Sequence, residues 1–135
     1  MTGVFMTMTR LGFLTAIFFV MGGALCVEAA EKALSESDKI EALIKRLEVL
    51  NDATFIRNGS DYNSKQAGRF LRGKWKAQGK DIKTAAEFID KIASVSSTSG
   101  KPYLIRFKDG RETKAGEYLK AELKKVEGND DARNC

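Results

Sequence analysis

This sequence predicts an α+β fold: a small, helix-dominated single domain of about four helices, with one short β-hairpin between the third and the fourth. Three observations carry that prediction. Apolar residues recur at helical spacing in several separate segments, and Tyr103-Leu104-Ile105-Arg106-Phe107 alternates like a strand. Asp109-Gly110 then follows as the strongest two-residue hairpin signal in the chain.

Taken in order, Ser35-Glu36-Ser37-Asp38 is rich in capping residues. Ile40, Leu43, Ile44, Leu47 and Leu50 follow on one face, which predicts a helix over about residues 36–51. Thr54-Phe55-Ile56 is a short apolar piece that ends at Arg57-Asn58-Gly59, where Asn-Gly marks a turn. The second helix is expected to start between Ser60 and Ser64 and to end by Gly79. Thr84-Ala85-Ala86-Glu87 matches a capping box and opens a third helix with Ala85, Phe88, Ile89, Ile92 and Ala93 on its face. Ser94 to Gly100 reads as a loop too polar to enter the core. After the strand at 103–107, a return strand is expected at about Arg111 to Thr113. A fourth helix then turns Leu119, Leu123 and Val126 inward and ends near Gly128, leaving residues 128–135 as a disordered tail.

The N-terminus reads as an export signal. Arg10 precedes the apolar run Leu11 to Met21, and small residues close the segment at Val27-Glu28-Ala29-Ala30. Met1, Met6 and Met8 are alternative starts. Two other readings stand beside cleavage. The uncharged stretch from Leu11 to Val27 sits at the short limit of a membrane span, roughly 17–25 residues, so contact with a membrane would come only through an uncleaved leader. Cys26 invites a lipoprotein reading, against which bulky Leu25 stands. The expected organisation is a signal peptide over 1–30 and one domain over 31–127, periplasmic or secreted after cleavage.

Composition removes several chemistries. The chain has no histidine, which excludes Ser-His-Asp and Cys-His nucleophilic systems and His-ligated zinc. Cys26 leaves with the leader, so Cys135 remains alone and no internal disulfide or cysteine zinc cluster can form; an intermolecular disulfide through Cys135 stays open. No cofactor or metal is expected. Carboxylate-pair hydrolysis needs only two acids across a cleft, yet the acids here are scattered, and enzyme is the less favoured class.

One set of short motifs occurs in a fixed order: Phe55-Ile56-Arg57-Asn58-Gly59 with Tyr62, Phe70-Leu71-Arg72 with Lys74, Thr84-Ala85 with Glu87-Phe88-Ile89, and Ser99-Gly100-Lys101-Pro102-Tyr103. The set resembles the YfeK-like family, small exported proteins of Gram-negative bacteria that carry a domain of unknown function. The resemblance covers about residues 36–126. It implies a periplasmic location and brings no established activity, substrate or catalytic residue. Members often have a histidine where this chain has Phe70, so any role of that imidazole does not transfer.

The chain carries 23 Lys and Arg against 18 Asp and Glu, a net charge of +5. The excess is local: Lys65, Arg69, Arg72, Lys74, Lys76, Lys80 and Lys83 face only Asp81 within residues 65–83. On the second helix Lys65, Arg69, Arg72 and Lys76 form a single stripe, either a solvated face or a surface for a polyanion. Outside the cytoplasm the expected partners are lipopolysaccharide phosphates, anionic glycans or an acidic periplasmic protein, rather than nucleic acid. Lys74 lies on the apolar face, where it must snorkel, pair with a carboxylate or lose its proton. Trp75 borders that face as rim packing.

Ser97 to Tyr103 is the other candidate. Its Ser99-Gly100-Lys101-Pro102-Tyr103 core looks like the loop that some periplasmic lysozyme inhibitors insert into their target, although those inhibitors are β-sandwiches. The plainer reading is a connecting loop with Tyr103 in the core. Arg57-Asn58-Gly59 reads first as a turn and second as an anion-binding corner. The expected function is therefore an exported binding or interaction module for an anionic ligand or partner. An inhibitor of cell-wall lytic enzymes is the alternative, and a hydrolase with an unidentified site the third.

Overall fold

Phe55 lies at the centre of a sheet that the periodicity of the chain only half reveals. A computed structural model describes residues 33–133. The expected leader, with Cys26, and the terminal Cys135 lie outside the described residues. The elements are α1 (Glu36–Glu48), β1 (Thr54–Arg57), β2 (Ser60–Asn63), α2 (Ser64–Gln78), α3 (Ala85–Phe88, continued by a π-helical turn Ile89–Ala93), β3 (Leu104–Arg106), β4 (Glu112–Lys114) and α4 (Ala115–Arg133). The fold is α+β, with one correction. Its strands form a four-stranded antiparallel sheet in the order β2-β1-β3-β4, rather than one isolated hairpin between α3 and α4.

The missing hairpin is β1–β2. Asn58 (φ 50°) and Gly59 (φ 78°) both take the left-handed conformation, and Arg57 pairs with Ser60 across them. This is a two-residue primed turn, whose twist matches that of the flanking strands. Asp109-Gly110 is a different turn. Gly110 alone has positive φ, its N–H donates to the Phe107 carbonyl, and Phe107 N–H donates to Arg111, so three residues close β3–β4. The sheet thus joins two hairpins through β1 and β3, with Phe55 opposite Ile105.

The inner face of the sheet buries Phe55 and Ile105 against the helices. α1 contributes Ile40, Leu43, Ile44 and Leu47, capped at Ser35, whose hydroxyl accepts from Asp38 N–H. α2 opens with a full capping box between Asn63 and Gln66. At α3, Thr84 accepts from Glu87 N–H, but the Glu87 carboxylate accepts from Lys83 N–H instead of closing the box. α4 buries Leu119, Leu123 and Val126 and runs through Gly128 to Arg133, so the expected end at 128 falls inside the helix. Gly128 does not take the positive φ of a helix-stopping glycine. No helix among the described residues is long and apolar enough to cross a membrane.

Candidate functional site

The segment after α3 is not the free loop that its serines suggest. Val95 bridges Pro102, Tyr103 N–H donates to the Ser94 carbonyl, and Ser96 N–H donates to the Lys101 carbonyl. Ser96 is buried. Its hydroxyl accepts from Asn58 Nδ2 at 3.2 Å and shares a bond of 3.0 Å with Thr98, while the Ser99 hydroxyl donates to Asn58 Oδ1 at 2.5 Å. The side chain of a turn residue thereby fastens the 96–101 loop to the β1–β2 hairpin. A serine-rich segment was expected to stay out of the core; Ser96 enters it because every polar group it buries finds a partner.

Beneath that loop lies Lys74. Its side chain is 8% exposed, and its ammonium donates to the carbonyls of Ile92 (2.9 Å) and Val95 (2.8 Å) and to the Tyr103 hydroxyl (3.3 Å). Two of the three expected answers do not apply. The ammonium neither snorkels nor meets a carboxylate; backbone carbonyls at the end of α3 solvate it, where the helix dipole favours a cation. Burial pulls the Lys74 ammonium below its ordinary value, and the like charge of Arg57 pulls the same way. Burial pushes the Tyr103 phenol up, against Arg57 and a hydrogen bond from Ser96.

Arg57 completes the arrangement. Its guanidinium carbon sits 4.2 Å from the centroid of the Phe70 ring, a cation–π stack, and Phe70 in turn meets Tyr103 edge-on at 5.8 Å. Among the described residues Arg57 forms no ion pair within 4.0 Å. Arg57, Phe70, Lys74, Gln78, Ser96, Ser97, Thr98 and Tyr103 line one cleft of about 170 Å³. Two cations and several hydroxyls converge there with no carboxylate in the lining.

The basic stripe is divided. Arg72 forms a fork with Glu48 (2.5 and 3.1 Å) and reaches Glu41 at 3.1 Å, so it clamps α2 to α1 and is not a free cation. Lys65 and Arg69 are exposed beside a depression they share with Glu48, Val49 and Asn51, and Lys76 is exposed farther along α2. None of the four reaches the cleft. Of the loop residues, Ser99, Gly100 and Lys101 are exposed at the tip, whereas Tyr103 is 1% exposed and belongs to the core. A loop that inserts into another protein would have Ser99 and Lys101 to offer, not Tyr103. Ser97 and Thr98 belong to the candidate loop, whereas nothing in the sequence marks Phe70 and Gln78 as site residues. The signal that led toward the cleft was a lysine on an apolar helix face.

Comparison with known proteins gives a family without an activity. The family model described as a family of unknown function (DUF5329) matches residues 34–127. The uncharacterised protein YfeK of Salmonella typhimurium is 44% identical over 68 residues, which cover 50% of this chain and 57% of that protein. The resemblance read from the motifs is thus borne out. No solved structure matches the chain.

Proposed function

The chain belongs to the DUF5329 family, and from that premise we propose that it is an exported binding module that receives an anionic group in the Arg57–Lys74 cleft. The observation that carries this reading is the charge balance of the lining: an arginine without an ion pair and a buried ammonium, with hydroxyls around them and no carboxylate. The guanidinium carbon of Arg57 sits over the Phe70 ring at 4.2 Å from its centroid, a contact that consumes none of its donors. Lys74 uses its three donors on the protein and acts on a ligand through charge alone. Tyr103 accepts from Lys74, which leaves its own O–H to donate.

This reading moves the anion from the α2 stripe to the cleft. The stripe loses Arg72 to α1, and Lys65 and Arg69 stand beside Glu48. Export rests on the leader motif in residues 1–30. The test is an amide NMR titration of the domain with acetate, sulfate and inorganic phosphate, alongside heparin. Shifts concentrated at Arg57, Gln78, Ser96 to Thr98 and Tyr103, and lost in Arg57→Gln, are the expected result. Shifts confined to Lys65, Arg69 and Lys76 would return the function to the stripe, and no shift with any anion would retire it.

A further inference from the structure

We infer that the cleft takes a single phosphate monoester, the head group of a larger ligand whose remainder stays outside. The inference rests on the anion-binding reading and narrows it by charge, geometry and size. A phosphate monoester carries about −1.5 to −2 charges at neutral pH, since its second ionisation lies near 6. Arg57 and Lys74 supply two positive charges with no carboxylate beside them in the cleft. A carboxylate or a phosphodiester, each a monoanion, would balance only one of the two positive charges.

The donors also approach from different directions. Arg57 comes from the end of β1, Gln78 from the last residue of α2, Ser97 and Thr98 from the loop, and Tyr103 from the approach to β3. A planar carboxylate offers two oxygens with their lone pairs in one plane. A tetrahedral group presents oxygens to the fork, to the loop hydroxyls and to the phenol together. The cleft volume of about 170 Å³ falls below the roughly 300–1,000 Å³ of sites that engulf whole small molecules. Gln78, Ser97 and Thr98 are exposed, so the cleft opens to solvent along its α2 and loop side, where the body of the ligand would continue.

The experiment compares methyl phosphate, dimethyl phosphate and acetate by NMR titration at ~pH 7.5, and repeats methyl phosphate at ~pH 5. The titratable and charged groups facing the site are Arg57, Lys74 and Tyr103, and no carboxylate lines it. Methyl phosphate is expected to bind at least about tenfold more tightly than the two monoanions, and to weaken by about tenfold at the lower pH as it loses its second charge. Acetate or dimethyl phosphate binding as well as methyl phosphate would overturn the phosphoryl assignment and leave anion binding standing. No saturable shift with any of the three would overturn both. Arg57→Lys, which keeps the charge and loses the fork, should weaken methyl phosphate by about tenfold while the remaining spectrum stays that of the folded domain. Unchanged affinity in that variant would also overturn the assignment.

Discussion

The Lys74 ammonium lies 2.8 Å from the Val95 carbonyl oxygen, so a residue of α2 closes the end of α3. At the end of the π-helical turn Ile89–Ala93, Lys74 donates to the carbonyls of Ile92 and Val95, and Ser94 Oγ donates to that of Ile89. The same ammonium touches Tyr103, which joins the closure of a helix to the floor of the cleft.

Lys74→Met should therefore destabilise the domain by about 1–3 kcal/mol, because the buried Ile92 carbonyl and the partly buried Val95 carbonyl lose their donor. The effect should also depend on pH. The Lys74 pKa is lowered in the native protein, so between that lowered value and 10.5 the unfolded chain holds a proton that the native state has released. Rising pH then favours the native state, and the gap between wild type and Lys74→Met should widen across that window. Urea denaturation at several alkaline pH values checks it; a gap that narrows would contradict the burial argument.

Arg72→Ala should cost about 1–2 kcal/mol, while Arg69→Ala should stay within about 0.5 kcal/mol. Both lie on the same stripe at helical spacing, but Arg72 bridges two glutamates of α1 in a partly buried network and Arg69 projects to solvent. Salt should reduce the Arg72 effect without abolishing it. Equal losses for the two variants in chemical denaturation would show that the clamp contributes nothing.

That contrast marks where the sequence was legible. Helical faces are local patterns, so α1 and α2 could be read from Ile40 to Leu47 and from the spacing of the stripe. The partners of Arg72 lie 24 and 31 residues away, and nothing in the spacing marks Glu48 and Glu41 as theirs. The same holds for β1. Asn58-Gly59 announced a turn, but the place of Phe55 in a central strand depends on Ile105, which only the folded chain brings beside it. The cleft was half visible: a lysine on an apolar face is a local anomaly, whereas the carbonyls that receive it depend on how α3 ends.

Gly116→Ala should destabilise by about 1–3 kcal/mol, as overpacked sites do. A methyl group there would fall within contact distance of Ser94 Oγ and Cβ, where α4 begins against the end of α3. Ser94→Ala in the same chain should recover part of the loss, although it gives up the bond to the Ile89 carbonyl. Thermal melts of the single and double variants decide it, and strictly additive losses would rule out the proposed clash.

Glu122 should set part of the acid limit of stability. Burial would push its carboxyl up, yet hydrogen bonds from Lys125 and Arg46, both at 2.6 Å, outweigh that and hold it below its ordinary value of 4.5. Its contribution is thus present above that ordinary value and disappears as pH falls through the lowered one. Glu122→Gln should be less stable than wild type at neutral pH, and the difference should shrink in acid. A difference independent of pH would mean that the carboxylate charge is not what matters there.

The last prediction separates the two duties of Asn58, which shapes the β1–β2 turn with its backbone and holds the 96–101 loop with its amide. Asn58→Gly keeps a residue at ease with φ 50° but removes the amide; Asn58→Ala removes the amide and strains the turn. Asn58→Ala should therefore cost about 1–2 kcal/mol more than Asn58→Gly in denaturation experiments. Both should speed hydrogen exchange at the Gly100 amide, which is bonded to the Ser96 carbonyl inside the loop. Both should also weaken methyl phosphate, because the loop that carries Ser97 and Thr98 loses the bonds that join Ser96 and Ser99 to Asn58. If exchange at Gly100 is unchanged while stability falls, Asn58 serves the turn alone and the loop holds its shape without it.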